Sequence, residues 1–150
     1  AALKIGACMA GASVDDADKL YDFGVSMGLA FQLQDDWLDV YGDPKVFGKN
    51  IGGDILCNKK TYMLITALNQ ADDKQSEELQ RWISATDAEP ADKITAVTHI
   101  YNEMRIGDQC MAMADSYYAE GLALLDGISL PAERKEMLKQ FVCSLMNRKV

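Results

Sequence analysis

The chain has 150 residues, of which 49% are hydrophobic and 25% are charged, and its formal net charge at pH 7 is −8. This length suits one domain that buries its own core, and the acidic excess argues against a nucleic-acid partner, because nucleic acids are bound by basic surfaces. The sequence shows no signal peptide and no apolar run long enough to cross a bilayer, so we expect no membrane span and a cytoplasmic location.

The hydrophobic pattern predicts a single all-α domain that covers residues 1–150. Few glycines and prolines interrupt the chain outside one loop, and runs of β-branched residues are scarce, which favours helices over strands. Ser13 is expected to cap the second helix, with Asp16 at the capping-box position. The helices are predicted at residues 1–11, 13–41, 56–70, 74–85, 90–125 and 129–146.

The end of the second predicted helix carries a stripe of carboxylates. Asp35, Asp36 and Asp39 lie in an otherwise apolar run, and helical spacing brings Asp35 and Asp39 onto one face with Asp36 beside them. Burying unpaired carboxylates is costly, so the stripe indicates a bound cation, and carboxylate oxygens are ligands of the hard ion Mg²⁺. Residue types alone also allow an ordinary acidic surface, since the chain has 23 acidic residues.

A glycine-rich segment bearing lysines follows the stripe. Its backbone can approach a ligand closely because glycine has no side chain, and Lys49 and Lys59 offer ammonium groups for the oxygens of a diphosphate. The segment is not a P-loop, because Asn50 stands where Ser or Thr should follow the lysine. The glycines are Gly42, Gly48, Gly52 and Gly53.

Residues 31–61 resemble the second aspartate-rich region of the trans-isoprenyl diphosphate synthases, the polyprenyl synthetase family. The resemblance is specific because it combines an aspartate motif, a glycine loop and lysines in the family's order. It consists of Phe31-Gln32-Leu33-Gln34-Asp35-Asp36-Trp37-Leu38-Asp39, Gly42-Asp43-Pro44, Gly48-Lys49, Gly53-Asp54 and Lys59-Lys60-Thr61.

The resemblance implies an isoprenoid synthase-type helical bundle around a central cavity, of which this chain would be the C-terminal portion. It also implies a Mg²⁺-dependent, homodimeric transferase that condenses an allylic prenyl diphosphate with isopentenyl diphosphate. Asp35 would be a direct Mg²⁺ ligand, and Asp36 and Asp39 would complete or orient the metal shell.

The resemblance assigns the substrate contacts to four further side chains. Lys49 and Lys59 would bind the allylic diphosphate. Lys49 would also be a catalytic residue, as would the three aspartates. Phe31 and Gln32 would line the cavity beside the developing allylic cation, where an aromatic face tolerates positive charge.

Three elements of the family pattern are absent from the 150 residues: a first aspartate-rich motif, an upstream basic segment and an arginine pair for isopentenyl diphosphate. No first aspartate-rich motif precedes residue 31, and family members are considerably longer, so we expect a C-terminal half of a synthase without turnover alone. Cys57 and Asn58 stand before Lys59 where acids are commoner in relatives, which leaves the role of that position open.

Two alternatives to a chain-elongating prenyltransferase remain at this point. The chain could belong to a terpene-cyclase-like enzyme or a non-catalytic partner subunit of the same fold, and the first motif would separate these. It could also be a helical interaction domain whose aspartate stripe is accidental.

Overall fold

The computed structural model describes residues 1–43 and 51–146, and within these ranges all regular secondary structure is helical. The prediction of an all-α fold is confirmed. No helix in these two ranges is both long and apolar enough to cross a lipid bilayer. The helices are α1 (Ala2–Met9), α2 (Val14–Tyr41), α3 (Gly53–Leu56), α4 (Tyr62–Gln70), α5 (Asp73–Ser84), α6 (Pro90–Glu103), α7 (Ile106–Asp126) and α8 (Ala132–Met146).

Helix α2 begins where the sequence predicts it. The Ser13 hydroxyl accepts the backbone N–H of Asp16 at 3.1 Å, which satisfies one of the donors left open at a helix N-terminus. The Asp16 carboxylate accepts the backbone N–H of Ser129 at 2.9 Å. The first turn of α2 is therefore fixed to the turn that precedes α8.

The prediction of one helix over residues 56–70 is wrong, because a turn separates α3 from α4. Asn58 has φ = 52°, which ends the helical path, and Thr61 caps the new helix by accepting the N–H of Leu64 at 3.1 Å. Residues 58–61 are polar, and a polar stretch of this length also fits the exposed face of a continuous helix, so residue types alone do not reveal the turn.

The predicted helix over residues 90–125 is also divided, into α6 and α7. Arg105 has φ = 54° at the break, and its guanidinium binds the Asp108 carboxylate at 2.7 Å. A Cβ at Gly107 would lie 2.7 Å from the Tyr41 ring. Because the ring packs where α7 begins, close tertiary packing accompanies the break between α6 and α7.

The chain forms two compact units, and α2 and α7 each contribute residues to both. Of the described residues, the first unit contains 1–32 and 113–146, and its core is Phe23, Leu125, Ile128 and Val142. The second unit contains residues 33–43 and 51–112, where α3 and α5 both pack on α6. One domain over residues 1–150 stays a prediction.

We expect Asp16→Asn to make the protein less sensitive to acid. The Ser129 N–H holds the pKa of the Asp16 carboxyl below its ordinary value of 3.8. A carboxyl with a lowered pKa stabilises the fold above its ordinary pKa, and this contribution is lost as pH falls through the lowered value. The melting temperature measured from about pH 6 to about pH 2.5 should therefore fall less in Asp16→Asn than in the unchanged protein.

Asp22→Asn is the control, since Asp22 is an exposed carboxyl on the same helix. Equal acid-induced losses for Asp16→Asn and Asp22→Asn would contradict the prediction.

Candidate functional site

The last turns of α2 place the predicted aspartates at a partly buried surface. Leu33, Leu38 and Val40 are at most 7% exposed, and their burial fixes the rotation of the helix about its axis. Asp36 is only 5% exposed, whereas Asp35 and Asp39 are half-buried. The stripe is therefore not a solvated acidic face.

Lys59 lies between two carboxylates. Its ammonium donates to Asp36 Oδ1 at 3.0 Å and to Asp54 Oδ2 at 2.7 Å. The hydrogen bond to Asp54, together with the bond to Asp36 and the charges of both, raises the pKa of Lys59 well above its usual range. Lys59 is consequently a permanent cation at the site.

Asp39 is connected to the same cluster through the backbone. Its Oδ2 accepts the N–H of Asp54 at 2.8 Å, and its main-chain carbonyl accepts the N–H of Gly52 at 2.5 Å. Burial raises the pKa of the Asp39 carboxyl above its ordinary value, and the Asp54 N–H partly opposes this effect. Asp36, Asp39, Asp54 and Lys59 thus form one bonded group, which we call the acid cluster.

Glycine is required where the chain comes back to α2. Gly52 has φ = 85°, and a Cβ there would lie 2.6 Å from the Ile94 side chain. The sequence predicts that the glycines of this segment let the backbone approach a ligand closely. At Gly52, the structure shows the backbone close to the Ile94 side chain and hydrogen-bonded to the Asp39 carbonyl.

The donor chemistry of the acid cluster fits the Mg²⁺ ion that the family resemblance implies. Asp36 and Asp54 already hold a cationic group, and all the cluster's acceptors are carboxylate or carbonyl oxygens, which hard cations prefer. Among residues 1–43 and 51–146, no three His, Cys, Asp or Glu side chains converge as a metal-binding group. Mg²⁺ commonly binds through one or two carboxylates together with water and substrate phosphates, and such a donor set suits this site.

The structure does not bring every predicted residue into the acid cluster. Lys49 lies outside the described residues. Phe31 belongs to the first unit, where it lines an apolar groove of about 410 Å³, and Gln32 is exposed. Of the predicted site residues, Asp36, Asp39 and Lys59 are joined by hydrogen bonds through Asp54.

Asp54 is the member of the cluster to which the sequence assigned no role. It stands in the motif directly after Gly52 and Gly53, and its carboxylate and N–H bind Lys59 and Asp39 respectively. The only local indication of this role is that Asp54 stands five residues before Lys59. Whether the two side chains meet depends on the turn between them, and the sequence pattern does not show that turn.

Cys110 is close to the cluster but is not a nucleophile. Its thiol is fully buried and donates to the Leu33 carbonyl at 3.4 Å. Burial, with a smaller effect from the Asp36 charge, raises the pKa of Cys110 to about 12. The thiol therefore stays protonated at neutral pH, and a thiolate is required for reactivity.

A family model described as polyprenyl synthetase matches residues 1–104. The chain belongs to the polyprenyl synthetase family. It is 34% identical over 140 residues to a short chain isoprenyl diphosphate synthase of Methanothermobacter thermautotrophicus, covering 93% of this chain and 39% of that protein. It is 34% identical over 107 residues to farnesyl pyrophosphate synthase of Bos taurus, covering 71% and 29%. A chloroplastic monoterpene synthase of Artemisia spiciformis is 34% identical over 94 residues, covering 63% and 24%.

Solved structures of the family share the fold. The crystal structure of a geranylgeranyl pyrophosphate synthase superposes with a TM-score of 0.85 at 33% identity, covering 98% of this chain and 46% of that one. A polyprenyl synthetase from Streptomyces coelicolor gives a TM-score of 0.85 at 25% identity, with 95% and 44% covered. The chain thus spans less than half the length of the relatives that it matches.

We expect Lys59→Met to destabilise the protein. The substitution removes the ammonium from the Asp36 carboxylate, whose side chain is 6% exposed, and from Asp54. A hydrogen bond to a charged group contributes about 1.5–3 kcal/mol, and we expect a loss near the lower end because the Lys59 side chain is 46% exposed. Urea denaturation measures the free energy of unfolding.

The matched control is Lys60→Met, which removes the same charge from the neighbouring exposed lysine and should change stability by less than about 0.5 kcal/mol. Combining Lys59→Met with Asp36→Asn should recover part of the loss, because the buried carboxylate charge is then absent. Equal effects of Lys59→Met and Lys60→Met would contradict a structural role for the Lys59 ion pairs.

Proposed function

We propose that this chain forms the diphosphate-binding side of a prenyltransferase in isoprenoid biosynthesis. The reaction is the condensation of an allylic prenyl diphosphate with isopentenyl diphosphate. The observation that carries the proposal is the acid cluster, in which a permanently charged lysine is fixed among three aspartates. Family membership and relatives named as isoprenyl and farnesyl diphosphate synthases support it.

Asp35, Asp36 and Asp39 are the residues that would hold Mg²⁺. When bound, the metal supplies positive charge that stabilises the pyrophosphate leaving group. The carboxylates orient this charge toward the diphosphate, and the neighbouring Lys59 limits the repulsion among them.

Lys49 and Lys59 bind the diphosphate oxygens in this proposal. An ammonium has three N–H donors, and Asp36 and Asp54 take two of those of Lys59, which leaves one for a phosphate oxygen. Because its carboxylate partners fix Lys59 in advance, little reorganisation is needed as negative charge develops on the leaving group.

Phe31 and Gln32 line the path of the allylic group in this proposal. Phe31 offers an aromatic face, which stabilises a developing carbocation where water would quench it, and its position in an apolar groove supports this role. We also propose that the enzyme acts as a homodimer in the cytoplasm.

We expect Mg²⁺ and pyrophosphate together, but neither alone, to raise the melting temperature. A ligand at a hundredfold excess over its dissociation constant stabilises a protein by about 2.7 kcal/mol, which differential scanning fluorimetry detects readily. Asp35→Ala should abolish the shift, whereas Asp115→Ala, which removes an exposed carboxylate from the middle of α7, should retain it. The absence of any shift in the unchanged protein would instead favour a helical interaction domain.

A terpene-cyclase-like reaction is the second candidate, because one relative is named a monoterpene synthase. We expect the full-length protein, given geranyl diphosphate and Mg²⁺, to consume it only when isopentenyl diphosphate is present and to form a longer prenyl diphosphate. Product analysis by mass spectrometry distinguishes this from hydrocarbon release. Asp35→Ala should lower turnover by about a hundredfold or more, and hydrocarbons formed without isopentenyl diphosphate would establish the cyclase instead.

A further inference from the structure

A buried lysine without an assigned role, Lys93, is hydrogen-bonded to Asn58, the residue that precedes Lys59 of the acid cluster. Lys93 is 6% exposed, and its ammonium donates to Asn58 Oδ1 at 2.8 Å and reaches the Leu56 carbonyl at 3.5 Å. None of the ion pairs formed by residues 1–43 and 51–146 includes Lys93. Its described hydrogen-bond partners are therefore neutral oxygens, one at the last residue of α3 and one in the turn that follows.

The position of Lys93 is unfavourable for a cation. Lys93 lies in the first turn of α6 (Pro90–Glu103), where the helix dipole is positive. Burying an ammonium costs several kcal/mol unless it is well bonded. An apolar side chain would pack here without this cost, so the hydrogen bonds that Lys93 makes to Asn58 and Leu56 are what offset its burial.

Asn58 is the partner that connects Lys93 to the site. It occupies the left-handed region, with φ = 52°, which Asn tolerates better than most residues other than glycine. Both ends of its side chain are used: Nδ2 donates to the Ile83 carbonyl at 3.0 Å, and Oδ1 accepts from Lys93. The turn is thereby bonded to α5 and α6 at once.

The turn after α3 fixes the position of the Lys59 main chain. The Lys59 N–H donates to the Asp54 carbonyl at 2.9 Å, and the Lys59 carbonyl accepts the N–H of Thr61 at 2.8 Å. With its main chain held on both sides, Lys59 directs its ammonium to Asp36 and Asp54. A change in the conformation of Asn58 would redirect the Lys59 side chain.

We infer that Asn58 and Lys93 are positioning residues, which hold the left-handed turn after α3 and thereby keep the Lys59 ammonium between Asp36 and Asp54. The consequence for diphosphate binding rests on the proposed function, whereas the consequence for Lys59 itself does not. Neither residue needs to touch the substrate for this role.

The first experiment measures how fast Lys59 of the full-length protein is acylated by sulfosuccinimidyl acetate, using mass spectrometry with Lys60 as the internal reference. An ammonium anchored by two carboxylates must leave both before it reacts. Lys93→Met and Asn58→Gly should each accelerate acylation of Lys59 about fivefold relative to Lys60, the effect of one typical hydrogen bond. Asn58→Gly tests the side chain specifically, because glycine adopts the left-handed conformation without strain.

Two further variants separate positioning from general loss of stability. Asn58→Asp keeps an acceptor for Lys93 and a residue that tolerates positive φ but loses the donor to the Ile83 carbonyl, so its acylation rate should lie between that of the unchanged protein and that of Asn58→Gly. Asp72→Ala removes the capping box of α5 and should destabilise the protein without changing the rate at Lys59. Unchanged acylation in Lys93→Met and Asn58→Gly, or equal acceleration in Asp72→Ala, would overturn the inference.

The second experiment measures the dissociation constant of pyrophosphate in the presence of Mg²⁺ by calorimetry. We expect about fivefold weaker binding in Lys93→Met and Asn58→Gly, and unchanged binding in Asp72→Ala. If the unchanged protein does not bind Mg²⁺-pyrophosphate, the proposed function fails while the acylation result still decides the role of the pair. Weaker binding without faster acylation would also overturn the inference, because the effect would not pass through Lys59.

Discussion

The arrangement of this site depends on one ammonium group held by two carboxylates. Lys59 lies 3.0 Å from Asp36 and 2.7 Å from Asp54, although 23 residues separate Lys59 from Asp36 in the chain. Without a cation, the charges of Asp36, Asp39 and Asp54 would repel one another in a partly buried environment, where the effective dielectric constant is lower than in water. The ion pairs therefore both join the turn after α3 to the end of α2 and make the concentration of acids compatible with folding. They also fix positive charge in advance of any anionic ligand, which reduces the reorganisation that binding requires.

The scaffold around this interaction consists of unusual backbone positions supported by buried polar bonds. Gly52 and Asn58 both adopt positive φ, one before and one after the four-residue helix α3. Gly52 allows the chain to approach Ile94 closely, and Asn58 uses its amide to bind Ile83 and Lys93. Residues in such conformations persist only where their surroundings stabilise them, and they are concentrated at functional sites.

Family membership bears on the reaction, whereas the hydrogen bonds of this structure bear on how the site residues are positioned. The family match covers residues 1–104 and supports the proposed reaction of prenyl diphosphates. The roles of Asn58 and Lys93 are inferred from their hydrogen bonds in this structure, because the sequence resemblance assigns neither residue a role. The overall charge of −8 is compatible with the proposed anionic substrate, because a divalent cation bound at the carboxylates would invert the local charge. The net negative charge by itself would instead have suggested a preference for cationic ligands.

The sequence by itself determined the helical class, the start of α2 at Ser13 and the presence of aspartates and lysines in one motif, because these follow from short-range spacing and capping. It could not locate the breaks at Asn58 and Arg105, since apolar residues recur on both sides of Arg105 and the turn at Asn58 is held by bonds to the distant residues Ile83 and Lys93. Nor could it assign Asp54 to the cluster or explain Lys93, whose partners Asn58 and Leu56 lie 35 and 37 residues away. Only the tertiary structure decided these points, because the worth of a buried charge depends on which groups surround it after folding, and local pattern does not contain that information.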